Sequence, residues 1–315
     1  MKKNLLRILR VILVIAPLVW IYTRTNAADL GETLRSIHLP FLIYILAAYF
    51  FGMFLQGTKW WILIRRFVPE LKLSKALSVH FESAFYSIAL PTAAAHDVVK
   101  SVILSRSHSP QVVWAAAWIC KLMGFLALII LSVFGALYIQ SEILPDNFRS
   151  SLIAALAVVT VMAAASFSKR ITRPLRTIMA AVLSPKIMSR AEKFREGIYI
   201  FKHERTTLLQ TFLITAATHL LIMFTISFTI YAITGKFYLI ECLAFVPLIE
   251  IVALSLPLTP GGIGIREAMM AAFFMHLGLS PEQTASYVTI SLLVPMLKLT
   301  GGVCPLYRFA AKRKS

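Results

Sequence analysis

The sequence predicts an all-α polytopic membrane protein with about six full spans and two broken re-entrant helical hairpins. Of the 315 residues, 58% are hydrophobic and only 15% are charged, and the mean hydropathy is +0.77. The apolar runs are continuous, whereas the strands of a membrane barrel alternate in polarity. We expect one integral membrane domain over 1–315, with a first half at 1–168, a basic cytoplasmic loop at 169–206 and a second half at 207–315.

The distribution of charge predicts which side of the membrane each loop faces. The formal net charge is +18, and the basic residues cluster between the apolar runs, as the positive-inside rule and anionic headgroups require. We therefore expect cytoplasmic N- and C-termini and no nucleic-acid partner. Cys120, Cys242 and Cys304 lie in apolar segments without CxxC spacing, so neither a disulfide framework nor a zinc site is expected.

The first two apolar runs predict spans at 8–22 and 40–64, joined by an outer loop at 23–39. Basic residues precede the first run and follow the second, which puts those two ends in the cytoplasm. Trp60 and Trp61 near the end of the second run are typical of interfacial anchors.

Residues 75–106 predict a hairpin that enters and leaves on the cytoplasmic side. As a helix, the apolar part at 76–90 would cover about 22 Å, short of the ~30 Å hydrocarbon core. The chain then breaks at 91–97 and restarts as a second arm. Asp97 follows the break, and three roles stay open for it: it caps the second arm, it faces Lys100, or it faces Arg266.

Three further spans are predicted at 112–139, 152–167 and 208–233. Lys121 lies about ten residues inside the first of them, too deep for easy snorkelling, so we expect it to line a polar cavity. The stretch 169–205 holds ten Lys or Arg against three Glu, the strongest positive-inside signal in the chain. Within it, apolar residues at i, i+3, i+4 and i+7 predict a helix lying on the cytoplasmic leaflet: Leu175, Ile178, Met179 and Val182.

The stretch 256–267, Leu-Pro-Leu-Thr-Pro-Gly-Gly-Ile-Gly-Ile-Arg-Glu, predicts a second hairpin, opening to the outside. Its two prolines remove backbone donors, and its three glycines allow conformations that other residues avoid. The flanking runs, 239–256 and 264–277, are each short for a span. A last span is expected at 286–306. Two hairpins entering from opposite faces suggest an inverted repeat, with a ligand near the midplane.

Three stretches resemble the membrane domain of the bacterial lysylphosphatidylglycerol synthase/flippase family. Residues 257–267 match its Pro-x-Thr-Pro-Gly-Gly-x-Gly-x-Arg-Glu motif at every fixed position. Residues 90–100 resemble Leu-Pro-(Gly-rich)-Asp-Val-Val-Arg, with Ala and His replacing the glycines and Lys100 replacing Arg. Residues 120–124 resemble an acidic residue followed by Arg-x-x-Gly, with Cys120 in place of the acid and Lys121 in place of Arg.

The resemblance implies an integral inner-membrane protein related to domains that move charged phospholipids between leaflets. We expect it to lack the soluble aminoacyl-transferase domain that some members carry. The candidate lipid-binding residues are Asp97, Lys100, Lys121, Gly261, Gly262, Arg266, Glu267 and Lys298, with Glu82 and Glu250 as charge partners.

Two of these candidates allow a structural role as well. Arg266 and Glu267 either bind a lipid phosphate or form an ion pair that holds two half-helices together. The glycines either offer backbone donors to an anion or permit close helix packing. For most of the four histidines we expect hydrogen-bonded helix packing: His80, His96, His219 and His276.

Electrostatics favours a flippase-like protein that moves an anionic lipid, because a phosphate cannot cross hydrocarbon unpaired. One alternative is a membrane-embedded transferase acting on a lipid or polyprenyl phosphate. Such chemistry commonly uses Mg²⁺ on clustered carboxylates, and here the carboxylates are dispersed, so no catalytic residue, metal or cofactor is expected. A second alternative is a non-transporting accessory subunit. The expected partners are an anionic membrane lipid and either a partner enzyme or a second copy of the chain.

Overall fold

The computed structural model describes residues 2–90, 94–139, 147–168, 184–255, 259, 262–303 and 305, and these ranges contain helices and no strand. The all-α prediction is confirmed for this part of the chain. The helices are α1 (Lys2–Tyr22), α2 (Ala27–Ser36), α3 (Leu39–Arg65), α4 (Leu73–Ser87), α5 (Ala95–Leu104), α6 (Pro110–Tyr138), α7 (Phe148–Phe167), α8 (Pro185–Ile200), α9 (Arg205–Thr234), α10 (Leu239–Ser255), α11 (Ile265–His276), α12 (Pro281–Leu293) and a C-terminal 3-10 helix (Val294–Gly302).

Four helices are long and apolar enough to cross a membrane, counted over the described ranges: α3, α6, α7 and α9. A fifth crossing is possible if Val11–Tyr22 and α2 count as one span, although they meet at 89°. The expected count of six is therefore not reached. The last predicted span, 286–306, stops being α-helical at Leu293, just before Pro295, which cannot donate a backbone hydrogen bond. The predicted outer loop at 23–39 contains α2, which packs against α12.

Both predicted breaks interrupt helices. Helices α4 and α5 flank the first and pack against each other, and α10 and α11 do the same around the second. At the second break Gly262 has φ +80° and Gly264 has φ +91°, in the left-handed region that glycine alone adopts at little cost. The composition of the break thus determines its backbone.

The two halves interlock through close helix contacts. Helix α3 packs along α9, and α10 packs along α6. A Cβ added to Gly135 of α6 would lie 2.6 Å from the carbonyl carbon of Leu243 in α10, so glycine permits this contact. Gly301 in the C-terminal 3-10 helix likewise touches the backbone of Phe81 in α4. The first arm of each hairpin is therefore held by the opposite half of the chain.

Two predictions concerned segments at the membrane interface. Trp60 is fully buried and is not an interfacial anchor, and Trp61 is partly buried, with its indole N–H donating to the carbonyl of Leu71 at 2.7 Å. The tight packing of α3 against α4 draws both rings inward. The predicted interfacial helix at 175–182 lies outside the described residues. The later part of the basic loop forms α8, which packs on α6.

Candidate functional site

A cavity of about 340 Å³ lies between the two halves, walled by both hairpins, by α3, α6, α9 and α12 and by the C-terminal 3-10 helix. The structure brings together at its wall six residues that the sequence had singled out: Asp97, Lys100, Lys121, Glu250, Arg266 and Lys298. They come from five separate elements, so only the tertiary packing makes them neighbours. Their role in binding remains a prediction.

Asp97 and Lys100 form an ion pair within α5. The Lys100 ammonium lies 3.0 Å from a carboxylate oxygen of Asp97, and its side chain is 5% exposed against 37% for Asp97. The same ammonium lies 4.9 Å from the centre of the Trp60 ring, a cation–π contact. Helix α5 begins at Ala95 and its N-cap is Ala94, so the predicted capping role of Asp97 is wrong. The carboxylate instead faces the cavity on the first turn of the helix.

Arg266 and Glu267 form a second pair at the start of α11. The guanidinium donates to one oxygen of Glu267 at 2.8 and 3.1 Å, and the backbone N–H of Gly264 donates to the other at 2.7 Å. Glu267 is 1% exposed, whereas Arg266 is 24% exposed and reaches the cavity. The pair therefore stabilises the N-terminus of α11 and directs the Arg266 side chain towards the cavity. It does not join two half-helices, which was one of the roles that the sequence left open.

Three lysines line the cavity without an ion-pair or hydrogen-bond partner among the described residues: Lys59 on α3, Lys121 on α6 and Lys298 on the 3-10 helix. Of the three, only Lys121 contacts an aromatic ring in the described structure, with its ammonium 5.7 Å from the centre of the Phe125 ring. All three side chains are half-buried. A cation inside a membrane protein is costly without an anion, and no carboxylate of the described residues lies within ion-pair distance of these three lysines.

Sequence reasoning missed Lys59, because it sits beside two tryptophans that indicate a membrane interface. The spacing of its neighbours could have indicated it: Gly52, Gln56 and Lys59 lie at i, i+4 and i+7, and all three line the cavity. That spacing marks a single helical face that is less apolar than the rest of α3.

The histidines of the first hairpin also face the cavity. The rings of His80 and His96 lie 4.4 Å apart between centres, and a ring nitrogen of His96 lies 3.0 Å from the carbonyl oxygen of His80. Both ring nitrogens of His80 are buried without a hydrogen-bond partner in the described structure. His219 lines the opposite wall. Hydrogen-bonded helix packing is thus the wrong description of His80.

The charged residues form two groups, one at each end of the cavity. Lys59 lies within electrostatic range of Lys100 and Asp97, and Lys121 lies within range of Asp97. At the other end Glu250 lies within range of Arg266, together with the buried hydroxyls of Tyr49 and Tyr287. Lys298 interacts with groups at both ends, namely His96 and Arg266. One end is strongly cationic, and the other is balanced and rich in hydroxyls.

The remaining predicted residues do not line this cavity. Glu82 is buried on α4 and Glu267 lies behind Arg266. Gly262 packs on α10, where an added Cβ would lie 3.1 Å from that of Ala253, which favours the close-packing reading. Gly261 lies outside the described residues.

We expect Asp97→Asn to lower the free energy of unfolding by about 1.5–3 kcal/mol, because it removes the only carboxylate that pairs with the buried Lys100 ammonium in the described structure. Adding Lys100→Met should recover part of the loss, since the unpaired charge is then gone. Thermal unfolding in detergent micelles measures the double-mutant cycle. Asp29→Asn, at an exposed site on α2, is the matched control. A double mutant as unstable as the sum of the singles would contradict the coupling.

Comparison with known proteins places the chain in a family. A family model described as "Lysylphosphatidylglycerol synthase TM region" matches residues 7–297, which includes the α-helices that wall the cavity and the start of the C-terminal 3-10 helix, but not Lys298. Among curated proteins no significant match to the chain was found.

Proposed function

The chain belongs to the lysylphosphatidylglycerol synthase transmembrane-region family, and from that premise we propose that it moves an anionic phospholipid between the leaflets of the inner membrane. The proposed step makes and breaks no covalent bond. Both termini are proposed to lie in the cytoplasm, following the distribution of Lys and Arg between the apolar runs.

The observation that carries the proposal is the set of lysines without partners in the cavity. Placing one charge at mid-membrane costs about 2.5–3.5 kcal/mol on insertion scales. Lys59, Lys121 and Lys298 have no carboxylate within ion-pair distance in the described structure to offset that cost. A lipid phosphate supplies the missing anion, and the lysines in turn replace the water that the phosphate loses on leaving the surface.

The packing of the helices supports an inverted repeat around this cavity. In the first half α3 packs on α4, α4 on α5, α5 on α6 and α3 on α6. The second half repeats the pattern with α9, α10, α11 and α12 in the same order. Across the interface α4 packs on the C-terminal 3-10 helix that continues α12, and α10 packs on α6. Such repeats typically hold a ligand between them and alternate its access.

The chemistry of translocation follows from the two ends of the cavity. The phosphate enters the cationic end, where lysine ammoniums and the Lys100–Asp97 pair surround it, while the acyl chains stay in lipid. Arg266 is the next cation along the wall and keeps Glu267 as a partner until an anion arrives. Moving the headgroup between these cations avoids an unpaired charge at any stage.

The test is translocation in proteoliposomes with acyl-labelled phosphatidylglycerol, phosphatidate and phosphatidylcholine. We expect the wild-type protein to move at least one anionic lipid faster than empty vesicles do. Lys121→Gln should slow it roughly tenfold, equivalent to about 1.4 kcal/mol. Lys236→Gln, at an exposed outer turn, is the matched control and should leave the rate unchanged.

Two results would count against this proposal, the first against transport itself and the second against selection of an anionic headgroup. If no anionic lipid moves faster than in empty vesicles, the accessory role replaces transport as the better proposal. If phosphatidylcholine moves as fast as the anionic lipids and Lys121→Gln has no effect, the lysines do not select the headgroup.

A further inference from the structure

The cavity carries a surplus of positive charge that sets a requirement on its ligand. Among the described residues, five cations point to it: Lys59, Lys100, Lys121, Arg266 and Lys298. Three carboxylates oppose them, of which Asp97 is bound to Lys100 and Glu267 to Arg266, with Glu250 left near the balanced end. Five cations against three carboxylates, without counting the histidines, leave a surplus of two positive charges.

The surplus charge does not come from a single helix. The lysines without partners come from three different walls, and each lies within electrostatic range of a group on α5 or at the start of α11. Cys120, next to Lys121, lines the same wall and carries no negative charge as a thiol, where the family motif that it resembles has an acidic residue. This wall therefore contributes the cation of Lys121 without a neighbouring carboxylate on the same helix to offset it.

We propose that the cavity takes a lipid headgroup with two negative charges on phosphate, as in a phosphomonoester lipid. This inference rests on the proposed function and narrows its substrate class. A phosphodiester with a single charge leaves one cation unneutralised in a medium of low dielectric. An aminoacylated, cationic headgroup adds to the surplus and is disfavoured further. A phosphomonoester at pH 8 is a dianion with three acceptor oxygens, which suits ammoniums arriving from three walls.

The test compares two anionic lipids in the same proteoliposomes at the same pH. At pH 8 we expect unlabelled phosphatidate to compete with an acyl-labelled lipid about tenfold more strongly than phosphatidylglycerol does. At pH 5.5 the monoester takes up a proton, since its second pKa is about 6, and its advantage should shrink. The phosphodiester keeps one charge at both pH values and reports any change in the protein itself.

Substitutions show whether the lysines create the preference. Lys59→Gln and Lys298→Gln should each bring the competition by phosphatidate towards that of phosphatidylglycerol. Lys59→Arg and Lys298→Arg retain the charge and should retain the preference, which separates loss of charge from loss of folding. Lys236→Gln should behave as wild type.

The outcomes separate this inference from the proposed function. Equal competition by the two anionic lipids overturns the dianion requirement and leaves lipid translocation standing. If no lipid moves or competes, both proposals fail. If inorganic phosphate alone binds with the same dependence on Lys59 and Lys298 while no lipid does, the ligand is a free phosphate and the lipid assignment is overturned.

Discussion

Glu267→Ala is expected to lower the free energy of unfolding by about 3–5 kcal/mol, the typical cost of breaking a buried ion pair from one side. The carboxylate is 1% exposed, accepts two donors from Arg266 and accepts the backbone N–H of Gly264. Alanine leaves the guanidinium without its anion and the first turn of α11 without its cap. Thermal unfolding in detergent micelles measures the loss.

Glu267→Gln separates the two functions of this side chain. The amide oxygen still accepts the N–H of Gly264, but the charge opposite Arg266 is lost, so we expect a smaller loss than with alanine. Glu32→Gln, at an exposed carboxylate on α2, is the matched control and should change stability by less than about 0.5 kcal/mol. A loss below about 1 kcal/mol for Glu267→Ala would show that the pair does not hold α11 in place.

Gly264→Ala should destabilise the protein by about 3 kcal/mol or more, because two independent costs add. Its φ of +91° lies in a region that alanine rarely adopts. A Cβ there would also lie 2.7 Å from the Cα of Val14 in α1 and touch the carbonyl of Leu13. Backbone atoms cannot turn aside as a flexible side chain does, so α1 or the second hairpin must shift.

Substitutions at two other glycines separate the cost of backbone strain from the cost of the close contact. Gly278 has φ +85° and open space around it, so Gly278→Ala measures the conformational strain alone, about 1–3 kcal/mol. Gly31 lies inside α2 with nothing within 4 Å of an added Cβ, so Gly31→Ala should stabilise by about 0.5–1 kcal/mol. The measurement is again thermal unfolding in micelles. If Gly264→Ala costs no more than Gly278→Ala, the contact with α1 is not a close one.

Local composition accounts for the helical class, for the two breaks and for the family resemblance. Proline and glycine act on their own backbone, so the interruption around 256–264 is predictable without knowing what surrounds it. A cavity that joins residues of both hairpins is present in the structure, with Asp97 and Arg266 on its wall, and its position at the membrane midplane stays a prediction. The basic residues in the loops reflect the orientation of the spans in the membrane, so they give little information about the residues of the site.

The sequence left three roles open for Asp97, because the choice between them depends on where α5 starts. Asp97 meets Lys100 since α5 begins at Ala95 and puts i and i+3 on one face. A start three residues later, at Val98, would have made Asp97 the N-cap, as one interpretation of the sequence expected. The sixth span is not confirmed for a similar reason: hydropathy over 286–306 does not register that the α-helix ends before Pro295.

The sequence by itself determined that this is a helical membrane protein of a lipid-handling family, with charges at two helix breaks. Those properties depend on the composition of short segments and on the solvent in which they are stable. Only the tertiary structure decided which charges face one another. Lys59, Lys121 and Lys298 are separated by more than sixty residues along the chain, and they share a cavity because α3, α6 and the C-terminal 3-10 helix pack around the same hairpin arms. Their surplus charge is a property of that packing, since no segment carries it alone.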